Sequence, residues 1–404
     1  MSSSATSAVL YAASISMTST TSAVPEEAKE LKHHLKDGKG FRNPWDSWKE
    51  QTSPQIMKAL VWRRFSGNAN SPDTTPPTVP VHAPKFLPSR KTDTLRATWL
   101  GHACYYVEFP GGFRVLFDPV FSERCSPFSW LGPKRYTPAP CQIDDIPTVD
   151  AVVISHSHYD HLDLPTVQKI TKKHPYAHFF VPLRLKKWFT DCGIEQCTEL
   201  DWWEERDVQF HPATEKPQVM TNSDGPAAPD KSSAENITAR IECLPCQHTS
   251  ARTAFDKGHT LWASWSVESG GKKVWFGGDT GYRAVPELPK DVDDYGPGHD
   301  YPHCPVFKQI GDLRGPFDLG LIPIGAYDPR YIMSSMHANP YDSVNIFRDT
   351  MCKRAMGIHW GTWVLTEEDV LEPPKKLKEA LKRYDIPEEG VFDVCDIGES
   401  REFA

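Results

Sequence analysis

The sequence predicts a layered α/β protein whose sheets are covered on the outside by helices. Short runs rich in Val, Ile, Phe, Tyr and Trp alternate with segments of helical period, the pattern of strands joined through helices. At 404 residues and 39% hydrophobic content, the chain can bury a large core in one or two domains. Several of the strand-like runs end on a histidine or an aspartate. Loops at strand ends are where rigid scaffolds place their chemistry.

The elements follow in order. The first 25 residues are rich in Ser, Thr and Ala, and no charged side chain precedes Glu26. A mitochondrial presequence is also poor in acids but needs Arg, and none occurs before Arg42. A disordered tail over residues 1–40 is therefore expected, with a cleaved targeting segment as the alternative. Residues 41–94 read as an N-terminal extension and linker, since a Pro, Thr and Ser cluster fills 66–94. The main domain spans 95–404. It opens with strand-like "LRATWLG", "CYYVEF" and "FRVLFDPVF", the last two joined by a Pro110-Gly111-Gly112 hairpin turn. "DLPTVQKITKKH" predicts a helix capped by Asp163, followed by a strand at "HFFVPL" and a helix around "RLKKWFTDCG". Residues 212–236 have almost no apolar periodicity and read as an inserted surface loop. Strands return at "ARIECLPC", "TLWASWSVES", "KKVWFGGDTG", "DLGLIPIGAY" and "RAMGIHWG".

Composition excludes some classes of function. A formal charge of -8 argues against a general nucleic-acid binder. No apolar run approaches the ~20 residues that a spanning helix requires. Ten scattered cysteines without a secretory leader read as reduced, intracellular thiols. The single CxxC of Cys243 and Cys246 is too little for a redox or structural zinc motif, so both are expected to be idle.

The densest chemistry lies in "ISHSHYDHLD", residues 154–163, directly after the β-branched run that ends at Ile154. One histidine after a strand is more often a hydrogen-bonded structural group than a ligand. Here density and recurrence change the balance. His156 and His158 are two apart, so in extended backbone they point to one side and can clasp one ion. Asp160 and His161 come a turn later and would face a second. Four further runs deliver Asp118, His248, Asp279 and His359. Two ions need about seven to eight ligands, which the short motif lacks and the later residues complete. A metal pair ~3.5–4 Å apart can generate hydroxide near neutral pH and stabilise both oxygens of an in-line displacement.

The run "SHSHYDHLD" with "GDTG" and "IHWG" resembles the metallo-β-lactamase superfamily. "NPWDSW", "TWLGHA", "GPKRYTPAPC", "ELDWWEE", "WASWSV", "PFDLGLIPIGAYDPR" and "HWGTW…LEPP" are similar to the N-acylphosphatidylethanolamine-hydrolysing phospholipase D family within it, from about Phe41 to Arg401. The resemblance implies an αββα sandwich with the metal site at one edge of the two sheets. It implies two zinc ions: His156, His158 and His248 on one, Asp160, His161 and His359 on the other, and Asp279 bridging. Asp118, in "LFDP", and His337, in "MHANP", match supporting or catalytic positions. The implied reaction is hydrolysis of the phosphodiester of N-acylphosphatidylethanolamine to an N-acylethanolamine and phosphatidic acid, in a homodimeric enzyme. The alternative is a soluble metallohydrolase of the same fold acting on a lactone, ester or nucleotide phosphodiester. The sequence departs from the family in its longer 212–236 loop and in Thr249, where an aromatic residue is common.

A lipid substrate requires peripheral contact with a membrane, whether mitochondrial or bounding the cytoplasm. The segment from Asn43 to Phe65 supplies the expected face through Trp45, Trp48, Trp62, Arg63 and Arg64, because aromatic and basic side chains suit an interface. The competing expectation is an amphipathic helix packed on the main domain or on a partner subunit.

Overall fold

The computed structural model describes residues 11–18, 22–212, 236–289 and 292–404. In chain order the strands are β1 (Tyr11–Met17), β2 (Leu95–Trp99), β3 (Tyr105–Glu108), β4 (Arg114–Phe117), β5 (Ala151–Val153), β6 (His178–Pro182), β7 (Cys197–Leu200) and β8 (Glu205–Pro212). They continue as β9 (Ile237–Leu244), β10 (Ser264–Ser269), β11 (Lys272–Phe276), β12 (Leu319–Pro323), β13 (Ala355–Ile358), β14 (Phe392–Asp393) and β15 (Ser400–Phe403). The α-helices are α1 (Ser53–Phe65), α2 (Leu164–Lys173), α3 (Lys186–Asp191), α4 (Val306–Arg314), α5 (Arg330–Met333), α6 (Pro340–Asp349) and α7 (Glu372–Arg383).

Two sheets form, one of eight strands ordered β1-β8-β9-β10-β11-β12-β13-β14 and one of seven ordered β15-β2-β3-β4-β5-β6-β7. They face each other: Phe117 of β4 meets Phe276 of β11 with ring centroids 4.8 Å apart, and Phe113 meets Phe210 at 5.2 Å. The alternation of β4 explains why the layers stack. Val115 and Phe117 point into the inter-sheet core, while Leu116 joins a second core with Val152, Val167, Ile170 and Phe189 under α2 and α3. Helices α4, α6 and α7 lie together on the other side, with α6 against β12. The result is the αββα sandwich.

Most of the local expectations hold. Asp163 caps α2 by accepting from the Thr166 N–H at 3.2 Å. The β3–β4 hairpin pairs Tyr105 with Phe117 across a turn in which Gly111 and Gly112 have φ of 81° and 100°, a region glycine enters without steric cost. The expected 212–236 loop falls almost wholly on residues 213–235, outside the described residues.

Two expectations need correction. Residues 11–17, placed in a disordered tail, form β1 and pair antiparallel with β8 along its length. An exposed strand edge recruits any uncharged, β-compatible segment through backbone hydrogen bonds, and "YAASISM" shows no side-chain periodicity to announce it. The supposed linker is also tied down: Val79 is buried, and Arg90 makes a two-pronged ion pair with the buried Asp150 at 2.7 Å.

The second correction concerns the membrane face. Trp45 is half-buried, packs against the core and stacks on Trp202 at 5.4 Å. Trp48 is half-buried and donates to Glu50, and Arg63 is engaged by Glu367 at 2.6 Å. Those three side chains are used within the protein. Trp62 and Phe65 are 70% and 86% exposed, and Arg64 is exposed beside them. Among the described residues no helix is long and apolar enough to cross a membrane.

Candidate metal centre

The candidate ligands converge because the strands that carry them run the same way. β4 to β7 are mutually parallel, as are β11 to β14, so Asp118, His156, Asp279 and His359 all leave C-terminal strand ends. β9, antiparallel to β10, runs with β11 and delivers His248 to the same edge. Close approach is built in: Gly278 has φ +57°, and a Cβ there would lie 2.6 Å from the Ser155 Cβ. Only glycine lets the end of β11 meet the end of β5.

Two groups of ligand atoms result. His156 Nε2 and His158 Nδ1 are 2.8 Å apart, and His248 Nε2 lies 3.3 Å from the same Nδ1. In the second group, Asp160 Oδ2 is 3.3 Å from His161 Nε2 and 3.4 Å from His359 Nε2. Asp279 stands between them. Its Oδ1 is 3.0 Å from His359 Nε2, and its Oδ2 is 3.2 Å from His161, 3.7 Å from His248 and 3.9 Å from His156. All seven expected ligands are thus brought together.

The imidazoles are held from behind. Asp118 Oδ2 faces His161 Nδ1 at 2.6 Å, Ser155 Oγ lies 2.8 Å from His156 Nδ1, and the Met336 carbonyl is 2.9 Å from His248 Nδ1. Each contact leaves Nε2 as the inward-facing nitrogen, the arrangement that fixes tautomer and ring orientation in metal sites. His337 is no surface-loop residue: its Nδ1 is 3.8 Å from Asp279 Oδ2 and its ring 5.0 Å from that of His248.

Electrostatics test whether a cation fits. Burial drives His156 and His248 well below the usual imidazole range and His337 down to about 4, so these are neutral. Burial also opposes charge on Asp279, but His161 and His359 beside it hold it well below the ordinary carboxylate range. His359, despite burial, is raised to about 9 by Asp279 and Asp160. The carboxylates thus draw positive charge into a buried centre. His161 Nε2, His359 Nε2 and Asp279 Oδ1 are nevertheless buried without a hydrogen-bond partner. Imidazole nitrogens and carboxylate oxygens orphaned around one point are a donor set for divalent zinc-like ions.

Comparison with known proteins agrees with this geometry. Residues 113–360 match the beta-lactamase superfamily domain. The N-acyl-phosphatidylethanolamine-hydrolyzing phospholipase D 1 of Caenorhabditis elegans is 35% identical over 392 residues, covering 94% of this chain and 97% of that one. The chain belongs to the N-acylphosphatidylethanolamine-hydrolysing phospholipase D family of the metallo-β-lactamase superfamily. An uncharacterized Mycobacterium tuberculosis protein is 32% identical over 81% of this chain and 74% of its own length. The mitochondrial N-acyl-phosphatidylethanolamine-hydrolyzing phospholipase D of Saccharomyces cerevisiae is 32% identical over 283 residues, and the chain spans half of that relative's length. The chain is accordingly a hydrolase of the metal-dependent kind.

One residue in this phospholipase-family site was missed by motif reading. His102 Nε2 lies 3.0 Å from Asp160 Oδ2, and its ring is 4.2 Å from that of His359. Burial lowers its pKa to about 3. The signal was available: "TWLGHA" also ends a strand-like run on a histidine. Its backbone adds another, since His102, Asp118 and His359 have φ of 50°, 39° and 64°. Left-handed backbone at non-glycine residues concentrates where function holds the chain.

Proposed function

We propose that this protein is a zinc-dependent phospholipase D-type hydrolase that converts N-acylphosphatidylethanolamine to an N-acylethanolamine and phosphatidic acid. The observation that carries it is Asp279, set between a three-histidine group and an Asp160–His161–His359 group, in a chain similar end to end to a phospholipase of that name. In this reading His156, His158 and His248 hold one zinc, Asp160, His161 and His359 the other, and Asp279 is shared. When bound, the metal pair supplies hydroxide near neutral pH and neutralises phosphoryl oxygens.

The chain's own side chains do the rest. Asp118, Ser155 and the Met336 carbonyl keep the imidazoles aimed, and His102 steadies Asp160. A water oxygen bonds to phosphorus, the P–O bond on the ethanolamine side breaks, and the leaving alkoxide takes a proton. That proton is the one the attacking water gives up, and His337, a neutral imidazole whose buried Nδ1 has no hydrogen-bond partner, is placed to hydrogen-bond the leaving oxygen.

Substrate arrives from a lipid surface on this reading. Trp62 and Phe65 with Arg64 on α1 offer exposed aromatic area for a bilayer to cover and attraction to anionic lipid. A second exposed apolar group, Phe128, Trp130 and Leu131, sits on the loop whose start is tied to Trp363, a ring that contacts His102. The protein acts inside the cell, peripheral on a membrane, as the yeast relative's mitochondrial name and ten free cysteines favour. A homodimer is proposed alongside, to be read by analytical ultracentrifugation. The deciding assay supplies zinc-loaded protein with N-acylated and plain phosphatidylethanolamine and measures released amide by mass spectrometry. Cleavage of a lactone, soluble ester or nucleotide phosphodiester with the lipid untouched would overturn the assignment.

A further inference from the structure

We propose that His33, His34 and Asp201 form a third divalent-metal site, separate from the catalytic pair, which fastens the N-terminal segment to the main domain. His33 Nε2 lies 2.8 Å from Asp201 Oδ1 and His34 Nε2 2.6 Å from Asp201 Oδ2. The three ligand atoms fall within 4.8 Å of one another. This spread matches the catalytic centre, where His156 and His158 approach to 2.8 Å. The two centres share no residue.

The site is built rather than incidental. Asp201 directly follows β7, so, like the catalytic ligands, it stands at a strand end. Its Oδ1 accepts the Trp202 N–H at 2.8 Å, and its own N–H donates to Glu204 Oε2 at 3.0 Å. His33 is 5% exposed and stacks on the Trp202 ring at 4.3 Å, which fixes the imidazole plane. His34 packs edge-on against it at 4.5 Å, and its side chain stays 31% exposed. The site therefore has two anchored ligands and one side open to water, with an adjoining cavity of about 180 Å³ lined by His33, Trp45 and Trp202.

Donor chemistry selects the ion. Two imidazoles and one carboxylate suit Zn²⁺, Co²⁺ or Ni²⁺, and suit Mg²⁺ or Ca²⁺ poorly because those prefer all-oxygen sets. Without metal, both imidazoles donate to one carboxylate and make an ordinary hydrogen-bonded trio. With metal, each Nε2 is freed for ligation as the ring proton shifts to Nδ1, so the imidazoles stay neutral and a much stiffer joint results. The joint closes a loop between residues 34 and 201 and fixes the chain that leads to Trp45 and α1.

The test uses untagged, full-length protein dialysed against buffered Zn²⁺. Wild type should retain three zinc per chain and the His33→Gln/His34→Gln double variant two. Cleavage of a short-chain soluble phosphodiester should be unchanged in the variant, because the catalytic ligands are untouched. Hydrogen exchange over residues 22–42 should slow when Zn²⁺ is added to wild type and not to the variant. Replacement by Co²⁺ should give a third set of visible bands that the variant lacks. Should the double variant fold poorly, His34→Gln alone keeps the His33–Asp201 contact and should weaken the third equivalent at least tenfold. Two zinc per chain in both proteins, or exchange over 22–42 that ignores Zn²⁺, overturns the proposal and leaves a hydrogen-bonded trio. Neither result bears on substrate identity, so this inference and the phospholipase assignment can fail separately.

Discussion

Replacing Asp118 with Asn tests the idea that the catalytic imidazoles are held from behind. Asp118 is fully buried, accepting the Ser155 N–H at 2.7 Å on Oδ1, and the Ser155 hydroxyl and His161 Nδ1–H on Oδ2 at 2.5 and 2.6 Å. Asparagine keeps the volume and one oxygen. If that oxygen stays with the Ser155 N–H, an NH₂ group then confronts His161 Nδ1, and the ring must move its proton to Nε2. Nε2 is the atom that faces Asp279 at 3.2 Å, and a protonated nitrogen cannot ligate. A lost charge-assisted hydrogen bond is worth about 1.5–3 kcal/mol. Losses of such supporting groups typically cost roughly 10–100-fold in metal affinity or activity, which converts to about 1.4–2.7 kcal/mol. The two routes agree. Zinc titration against a competing chelator, with kcat/KM on a soluble substrate at saturating zinc, should show a loss in that range. Ser155→Ala, which removes the hydroxyl and spares the N–H, should lose less. An Asp118→Asn protein within twofold of wild type in both measurements would refute the reasoning.

Three further outcomes are expected. Asp279→Asn removes the charge shared by both ligand groups and should cost several orders of magnitude in turnover; a near-normal rate would mean that the site is misassigned. Substituting Trp62, Arg64 and Phe65 together by Ala should weaken binding to anionic vesicles, at ~1 kcal/mol for the basic residue plus the lost aromatic area, while sparing a soluble analogue. Equal loss on both substrates would make these residues internal or dimer contacts. His174, buried at the end of α2, is pushed down by burial to about 4, so the folded form resists protonation while the unfolded chain takes it up near 6.5. Its contribution is therefore complete above 6.5 and is lost as pH falls toward 4. Wild type should lose about 2 kcal/mol more than His174→Gln between pH 7 and pH 5 in denaturant titrations, and identical slopes would contradict this.

Much of the site was legible because many of its residues obey a local rule, a polar residue at the end of an apolar run, and the rule survives folding. Asp118, His156, His248, Asp279 and His359 all satisfy it. His102 satisfies it too, but a lone histidine in a Gly-containing turn carries no weight until His359 is seen 4.2 Å away. What stayed hidden depended on partners remote in sequence. Trp45 and Trp62 look equally suited to a membrane, and only the contact with Trp202 shows that one is packed against the protein. Arg63 and Arg64 are adjacent and alike, yet Glu367, some three hundred positions away, claims just one. β1 was illegible for a different reason: its stability comes from the open edge of β8, while its own side chains repeat no pattern.

Because the candidate ligands are drawn from both sheets, the group is assembled from residues made at very different times. Asp118 and the "HSHYDH" histidines leave the ribosome early, while His359 emerges only when the last strands of the eight-stranded sheet are being made. The His156–His158 pair is therefore made long before the Asp160–His161–His359 group is complete. Until the end of β13 docks, Asp160 and His161 lack the imidazole that completes their group. The set of seven candidate ligands is complete only once residue 359 is in place. A chain that stalls or is truncated before residue 359 has helix α1 and most of both sheets but an incomplete ligand set.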